Sequence, residues 1–308
     1  MKKMLAITGA TGRKSGGAFA NLIYENRPVI DEMFPDGIKA FVRRNSDTSF
    51  LTEKLPDVTL IQGDLDNGEQ LEAFLEDVDT LVNIAGIYFS ENLVKAAVKC
   101  GVRRVILVHT TGIYSKYKAA GELYRNIEER VYGLCRENGI ILSVCRPTMI
   151  YGNTSDKNVA VFIKMVDKFP IMPVVNGARY DLQPVHYEDL AKGYFGVLLN
   201  EEKTANKDYV LSGGSVLELR SMLKIIGKNL GKKVHFISCP FAIAYFGACV
   251  LYYLTRRKKD YREKVQRLCE PRAYSHEAAR NDFGYDPVSF EEGIVNEVKQ
   301  YLAEKNKD

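Results

Sequence analysis

Residues 4–17 read Met-Leu-Ala-Ile-Thr-Gly-Ala-Thr-Gly-Arg-Lys-Ser-Gly-Gly, and this stretch decides the fold. The apolar run Met4–Thr8 predicts a short strand, and the helical spacing of Phe19 and Ile23 predicts a helix after the glycines. Glycines between a strand and a helix allow a tight turn in which backbone N–H groups can approach a phosphate. The stretch therefore predicts a phosphate-binding turn.

Five further strands alternate with helices as far as Cys145. The predicted strands are Lys39–Arg43, Val58–Gln62, Thr80–Ile84, Arg104–His109 and Ile140–Cys145. Because these strands are so apolar, they suit a parallel sheet that helices cover on both faces. The sequence predicts an α/β fold with a doubly wound parallel Rossmann sheet, whose ligand crevice lies at the carboxyl ends of the strands.

The regular alternation stops after Tyr151-Gly152. The remaining residues mix predicted helices with short strands and irregular segments around prolines. We therefore predict a Rossmann domain over residues 1–152 and a smaller mixed lobe over residues 153–308. This smaller lobe is expected to carry the substrate site and to pack partly back onto the first domain.

Composition excludes several classes of protein. The chain has 43 Lys and Arg against 39 Asp and Glu, and a net charge of +4 over 308 residues is too small to predict nucleic-acid binding. None of the six cysteines is spaced as in a zinc or redox motif, so we expect no metal site and reduced thiols. We see no signal peptide and expect a cytoplasmic protein.

One long uncharged run, Phe236–Leu254, covers 19 residues and is followed by Thr255 and the basic residues 256–259. Ser238, Pro240 and Gly247 interrupt it, and a membrane span needs about 20 apolar residues. We expect a buried helix that starts near Pro240. A helix lying on a membrane surface is the alternative, and a true span is the least favoured.

Six short motifs, taken together, resemble one superfamily. They are residues 8–12 (Thr-Gly-Ala-Thr-Gly), 63–65 (Gly-Asp-Leu), 85–86 (Ala-Gly), 146–152, 183–191 and 283–287. The chain is similar to the extended or atypical short-chain dehydrogenases/reductases, which bind NAD(P) and include nucleoside-diphosphate-sugar epimerases and dehydratases. The resemblance implies a dinucleotide cofactor. The implied cofactor-binding residues are Gly9, Thr11, Gly12, Arg13, Lys14, Ser15, Gly16, Asp64, Leu65, Ala85, Gly86, Lys118, Pro147 and Thr148.

The glycine loop departs from the pattern of that superfamily. The usual spacing is Gly-x-x-Gly-x-x-Gly, whereas here the step from Gly12 to Gly16 is one residue longer. We therefore expect the loop to bulge and to bring Arg13 or Lys14 over a phosphate.

The end of the second strand predicts which dinucleotide binds. An acidic residue there binds the ribose 2′-hydroxyl of NAD, whereas an arginine accommodates the 2′-phosphate of NADP. This chain has Arg43 and Arg44 at that point and no acid before Asp47. The guanidinium fork suits phosphate. The sequence predicts NADP rather than NAD.

The superfamily resemblance also implies a catalytic tyrosine, a lysine four residues later that lowers the tyrosine pKa, and a Ser or Thr that orients the substrate. Tyr114 and Lys118 have this spacing, and Thr110 or Thr111 supplies the hydroxyl. A predicted helix Lys116–Glu137 continues the four-residue steps to Glu122, and these steps would place Tyr114, Lys118 and Glu122 on one helical face.

However, Tyr114 follows the threonines by only three or four residues, whereas the family usually leaves more than ten. Two interpretations stay open. Tyr114 is the catalytic tyrosine, brought close by a deletion, or it is a non-catalytic loop tyrosine and the catalytic site is lost.

These observations predict an NADP-dependent oxidoreductase or nucleoside-diphosphate-sugar epimerase-like enzyme that acts on a small carbonyl or sugar-derived substrate. Leu182 stands four residues before His186, where sugar-nucleotide enzymes often have arginine, which weakens the sugar-nucleotide interpretation. One alternative is a non-catalytic NADP-binding sensor or assembly protein. Another is a membrane-surface dehydrogenase of ketones or lipids. The chain could form a homo-oligomer under any of these three interpretations.

Overall fold

The structure is a computed structural model that describes residues 2–117, 119–169, 171–258 and 260–306. Thirteen strands occur within these ranges. They are β1 (Leu5–Thr8), β2 (Ile38–Val42), β3 (Thr59–Gln62), β4 (Thr80–Asn83), β5 (Arg104–Val108), β6 (Ile141–Pro147), β7 (Ile150–Tyr151), β8 (Ile171–Val175), β9 (Asp181–Leu182), β10 (Val185–His186), β11 (Asp208–Leu211), β12 (Leu217–Glu218) and β13 (His235–Cys239).

Fourteen helices surround the strands of the described ranges. They are α1 (Ser15–Glu25), α2 (Arg27–Met33), α3 (Ser49–Lys54), α4 (Gly68–Leu75), α5 (Ser90–Cys100), α6 (Gly121–Glu137), α7 (Val159–Lys168), α8 (Tyr187–Leu199), α9 (Glu201–Thr204), α10 (Leu219–Asn229), α11 (Phe241–Leu254), α12 (Arg262–Leu268), α13 (Glu277–Phe283) and α14 (Phe290–Lys305). Single 3₁₀ turns occur at Ile87–Phe89, Thr111–Tyr114 and Asn176–Ala178.

Seven parallel strands form the central sheet, in the order β3-β2-β1-β4-β5-β6-β11. Buried apolar side chains cover both faces of it in two clusters. The predicted doubly wound α/β fold is therefore confirmed. The chain adds strands from β1 outwards to β3 on one side and then from β4 outwards on the other, so the strand order switches between β1 and β4. In such sheets, ligands bind at the carboxyl ends of the strands beside this switch point.

The second half of the chain contributes to this sheet. β11 pairs with β6, and α8 packs on α1, where the rings of Phe19 and Phe195 are 6.3 Å apart. Buried Arg104, at the start of β5, donates hydrogen bonds to the carbonyls of Val197 and Leu198 at the end of α8. A third apolar cluster lies among α7, α10 and α14. The division at residue 152 stays a prediction.

The helix expected from Lys116 begins instead at Gly121, and Tyr114 belongs to a preceding 3₁₀ turn. Tyr114 and Glu122 therefore do not share one helical face, and that expectation was wrong. A distant acid explains the difference, because Glu270 accepts hydrogen bonds from the Ser115 hydroxyl (2.6 Å) and the Lys116 backbone N–H (2.8 Å). Lys118 lies outside the described residues.

The expectation of a buried helix after Pro240 was also wrong. The helix forms as α11, but Ala248 is its one buried residue, and large apolar side chains such as Phe246 and Leu254 are exposed. Charge-free composition alone could not show whether another element covers the helix. No helix in the described part of the chain combines the length and the apolar character needed to cross a membrane.

The carboxyl-terminal helix α14 fastens the segment that follows β7. Buried Glu297 accepts a hydrogen bond from the backbone N–H of Gly152 (2.8 Å), and the neighbouring Asn153 side chain donates to the Arg13 carbonyl (2.9 Å). Burial and the hydrogen-bonded carboxylate of Asp156 raise the pKa of Glu297 above its ordinary value. The folded chain therefore keeps a proton on this pair.

We expect Glu297→Gln to flatten the pH dependence of stability, because an amide keeps both hydrogen bonds without titrating. With a raised pKa in the folded state, the stabilisation is fully present below the ordinary value of 4.5 and is lost as the pH rises towards the folded value. Urea unfolding from about pH 5 to about pH 8 measures this slope. Glu291→Gln, at an exposed position of the same helix, should keep the slope of the original chain; equal slopes in all three proteins would contradict the assignment.

Candidate dinucleotide and substrate site

Two glycines let α1 and the loop after β4 approach β1 closely. A Cβ atom on Gly16 would lie 2.0 Å from the Gly9 carbonyl oxygen, and one on Gly9 would lie 2.8 Å from the Ala85 backbone nitrogen. Gly9 also has a φ of +78°, which side-chain-bearing residues rarely adopt. Larger residues at either position would force the helix or the loop away from the strand.

The additional residue in the loop is accommodated by a wide turn. The Gly12 N–H donates to the Gly9 carbonyl (3.1 Å), and the Gly17 N–H donates to the Gly12 carbonyl (2.8 Å), five residues back. Helix α1 then begins at Ser15 and carries no acidic side chain in its first turn. The positive end of the helix dipole is therefore available to an anion.

A first cavity of about 600 Å³ lies at the carboxyl ends of β1 to β4. Its volume falls in the range of small-molecule and cofactor sites. The structure brings eight of the predicted cofactor residues to its wall. These are Gly9, Thr11, Gly12, Arg13, Arg43, Asp64, Leu65 and Ala85.

Other predicted cofactor residues lie elsewhere. Arg44 is exposed and is not part of the first cavity wall, although Arg43 next to it is. Lys14 lines a further cavity of about 570 Å³ between α1, α3 and α8, which adjoins the first through the shared lining residues 11–13. Ser15 and Gly16 are buried at the start of α1, where they shape the loop. Pro147 is buried at the end of β6, and its carbonyl accepts a hydrogen bond from Thr111 (3.0 Å).

A second cavity of about 430 Å³ adjoins the first, because Ala85 lines both. Four residues that the sequence analysis named as site residues lie in its wall: Gly86, Thr110, Thr111 and Thr148. The two cavities together follow the carboxyl edge of the sheet on both sides of the switch point. A dinucleotide bound across this edge would reach from one cavity into the other.

Tyr114 does not line the second cavity. Its ring is 49% exposed and packs against Tyr274, with ring centroids 5.4 Å apart. The guanidinium of Arg146 lies 5.9 Å from the same ring. Thr110 and Thr111 therefore lie at the cavity without the tyrosine that the sequence spacing paired with them.

Two other tyrosines, which the sequence analysis did not identify, line the second cavity. The hydroxyl groups of Tyr88 and Tyr124 are 3.0 Å apart, and burial together with this hydrogen bond raises the pKa of Tyr124 to about 12. Tyr124 therefore stays protonated at neutral pH. Its separation from Thr111, 124 − 111 = 13 residues, is the signal that could have found it, although Glu128 replaces the lysine four residues later.

A buried polar network supports the floor of the second cavity. His109 lines that cavity, with Nδ1 2.8 Å from Glu128 Oε1 and Nε2 3.0 Å from the Ser90 hydroxyl. Arg146 donates to the other oxygen of Glu128 (2.8 Å). Burial lowers the pKa of His109, although Glu128 opposes that change. The imidazole is therefore neutral at neutral pH and acts as a fixed hydrogen-bonding group.

Two arginines form a further part of the second cavity wall. Arg267 comes from α12, and Arg272 follows it in the chain. Within the described residues, the Nε atoms of both are buried without a hydrogen-bond partner. Burial, together with the charge of Arg267, lowers the pKa of Arg272 to about 10, so it remains a cation at neutral pH. Buried donors without partners favour an anionic ligand group.

The next question is whether the site could hold a metal ion. The described residues contain no cluster of three His, Cys, Asp or Glu side chains that could hold a metal ion. All six cysteines are free thiols.

Comparison with curated proteins gives one distant relative. It is the mitochondrial NADH dehydrogenase [ubiquinone] 1 alpha subcomplex subunit 9 of Arabidopsis thaliana, 24% identical over 102 residues. The match covers 33% of this chain, which spans only 25% of the length of that relative.

Solved structures resemble the whole chain. Superposition on gox2253 gives a TM-score of 0.78 at 19% identity, with 98% of this chain and 99% of that chain covered. A double mutant of dTDP-glucose 4,6-dehydratase from Streptomyces venezuelae, solved with NAD, gives 0.71 at 18% identity and 98% coverage of both chains. Triphenylmethane reductase from Citrobacter sp., solved with NADP(H), gives 0.70 at 18% identity and covers 96% of this chain and 99% of its own. These likenesses show the fold alone.

The predicted superfamily is confirmed by these comparisons. The neighbours include a dehydratase solved with NAD, an epimerase, and reductases solved with NADPH or NADP(H), and the described fold is the one that they share. One family model also matches residues 1–248, which is most of the chain. The chain belongs to the NmrA-like family.

Proposed function

We propose that the chain is an NADP(H)-dependent oxidoreductase acting on a small carbonyl compound or its alcohol. One observation carries this proposal: two cavities meet at Ala85, one beside the glycine loop and the other lined by threonine and tyrosine hydroxyl groups. Such an arrangement suits a cofactor that spans both cavities and a substrate at the far end.

The first cavity has the features that a dinucleotide needs. Gly9 and Gly16 leave no room for a side chain, so backbone N–H groups at the start of α1 stay accessible to a pyrophosphate. Arg13 and Arg43 line the same wall and offer charge-assisted hydrogen bonds to a ribose 2′-phosphate. NADP(H), when bound, would supply the hydride.

The second cavity offers the groups that a carbonyl substrate needs. Tyr124 keeps its proton at neutral pH and would donate it to the carbonyl oxygen as negative charge develops there. Thr110 and Thr111 would position that oxygen. Arg267 and Arg272 would bind a carboxylate or phosphate on the same molecule, which would give their buried Nε–H groups an acceptor.

A second function, an NADP(H)-binding sensor without turnover, is favoured by one observation. Tyr114 lies outside the second cavity, and the tyrosine that lines it is followed four residues later by Glu128 rather than by lysine. Arg267 favours loss of the Tyr124 proton, but burial and the hydrogen bond with Tyr88 outweigh it and keep the pKa of Tyr124 raised. The tyrosine variants below separate the two functions.

We expect Gly12→Val to abolish NADPH binding without unfolding the chain. Gly12 lines the first cavity, so a valine side chain would enter the space for the pyrophosphate. Within 4 Å, a Cβ atom on residue 12 would contact only the Gly9 carbonyl oxygen, at 3.2 Å, so the fold should tolerate the change. Gly133→Val is the matched control because nothing lies within 4 Å of a Cβ at that helical position. Fluorescence titration with NADPH and thermal unfolding measure both effects; normal binding by Gly12→Val would exclude the loop as the cofactor site.

Arg43→Ala should weaken NADPH binding and leave NADH binding nearly unchanged. A charge-assisted hydrogen bond contributes about 1.5–3 kcal/mol, so the NADPH Kd should rise at least about tenfold. Arg44→Ala is the control, since its side chain lies outside the first cavity wall. Calorimetric titrations with NADPH and with NADH measure the Kd of each variant for both dinucleotides. Equal affinity of the unaltered chain for NADPH and NADH would contradict the NADP assignment.

Tyr124→Phe should lower kcat for carbonyl reduction about 10²–10⁴-fold and leave the Kd for NADPH unchanged, because only the proton donor is removed. Tyr114→Phe is the matched control and should retain nearly full activity. NADPH oxidation against a panel of aldehydes and ketones, with and without carboxylate or phosphate groups, measures kcat. Loss of activity in Tyr114→Phe alone would reinstate Tyr114 as the acid. Tight NADPH binding without turnover of any panel member would support the sensor.

A further inference from the structure

Helix α11 presents an uncovered apolar stripe. Ile243, Phe246, Val250 and Leu254 share one helical face, and Phe246 and Leu254 are 70% and 77% exposed. Ile237, on the strand just before the helix, is also exposed. We call the four residues of α11 the apolar face.

The opposite side of α11 is held by the protein. Phe241, Tyr245 and Tyr252 on that side are half-buried, and Ala248 between them is buried. The guanidinium of Arg262, on α12, lies 4.0 Å from the centroid of the Tyr252 ring. The helix is therefore packed in place, and the apolar face is its outward side.

A basic segment follows the last turn of the helix. Arg256, Arg257 and Lys258 are exposed, and their charged groups form no ion pair with the residues that the structure describes. Arg256 and Arg257 both have positive φ values, +50° and +65°. Glycine or asparagine adopts this conformation more easily, so the arginines are kept at some conformational cost.

We propose that α11 lies on the surface of an anionic lipid bilayer, with the apolar face among the acyl chains. The pairing of bulky apolar side chains with an adjacent unpaired cationic segment suits such a surface, because anionic headgroups attract Lys and Arg. Tyr253, exposed beside Leu254, is a side chain typical of the headgroup layer. A helix of 14 residues is about 21 Å long, too short to cross a hydrocarbon layer of about 30 Å.

Docking in this way would place the substrate end of the chain beside the lipid. Helix α11 packs on α12, and Arg267 of α12 lines the second cavity. Membrane binding itself requires neither turnover nor a bound cofactor. Its test is therefore independent of the proposed oxidoreductase activity.

Vesicle flotation of the full-length chain tests the proposal. We expect the chain to float with phosphatidylcholine vesicles that contain about 30 mol% phosphatidylserine, and to float poorly with phosphatidylcholine alone. Added salt should weaken flotation because it screens the headgroup charge. Failure to float with the anionic vesicles would overturn the proposal.

Two pairs of variants assign the binding to α11. Phe246→Glu should lower partitioning at least about tenfold, whereas Val161→Glu, at an exposed apolar position of α7, should not. Arg256→Glu/Arg257→Glu should lower it at least about 20-fold, since each basic residue contributes about fivefold. Lys224→Glu/Lys228→Glu, on exposed positions of α10, makes the same charge change and should have a much smaller effect.

The remaining measurements exclude other occupants of the apolar face. Thermal unfolding midpoints close to that of the unaltered chain show that the variants fold. Light scattering reports the oligomeric state without lipid. A dimer that Phe246→Glu separates into monomers would show that a second copy covers the face, and would overturn the proposal. Equal loss of flotation in a variant and its matched control would overturn it as well.

Discussion

A chain of hydrogen bonds, buried except at its Asp208 end, joins the elements that line the crevice. It passes through Thr8, Asn83, Ser90, His109, Glu128, Arg146 and Asp208. These side chains come from seven different strands, helices and loops between β1 and β11. Because a buried polar group without a partner is costly, each member fixes the position of the next. The spacing of the loops at the carboxyl edge depends on this chain.

Close backbone contacts at two glycines position the wall of the crevice beside the glycine loop. Gly16 rests against the Gly9 carbonyl, and Gly9 against the backbone of Ala85, so α1, β1 and the loop after β4 meet without side chains between them. Asn83 adds to this contact, since its side-chain oxygen accepts the Ala85 N–H (3.1 Å). The point where the two cavities join is therefore held both by close packing and by the buried chain of hydrogen bonds.

Arginines line both cavities, although the whole chain carries a net charge of only +4. In the first cavity they stand beside Asp47 and Asp64, whereas no acidic side chain of the described residues lines the second. Arg13 and Arg43 line the first cavity, and Arg267 and Arg272 line the second. Local fields of this kind act over a few ångströms in a crevice of low dielectric constant. They match the phosphates of the proposed cofactor and an anionic group on the proposed substrate, and net charge alone gave no indication of them.

The sequence by itself determined the Rossmann sheet and most of the first cavity wall. Strand periodicity and the glycine turn are local properties, so Gly9, Gly12 and Arg43 could be placed by reading along the chain. Only the tertiary structure decided the substrate end. Glu270, more than 150 residues away, holds the backbone at Lys116 out of the expected helix, and so Tyr124 rather than Tyr114 lines the second cavity. Which residues meet across such distances depends on packing between elements, which no local pattern encodes; for the same reason, only the structure showed that α11 lies uncovered.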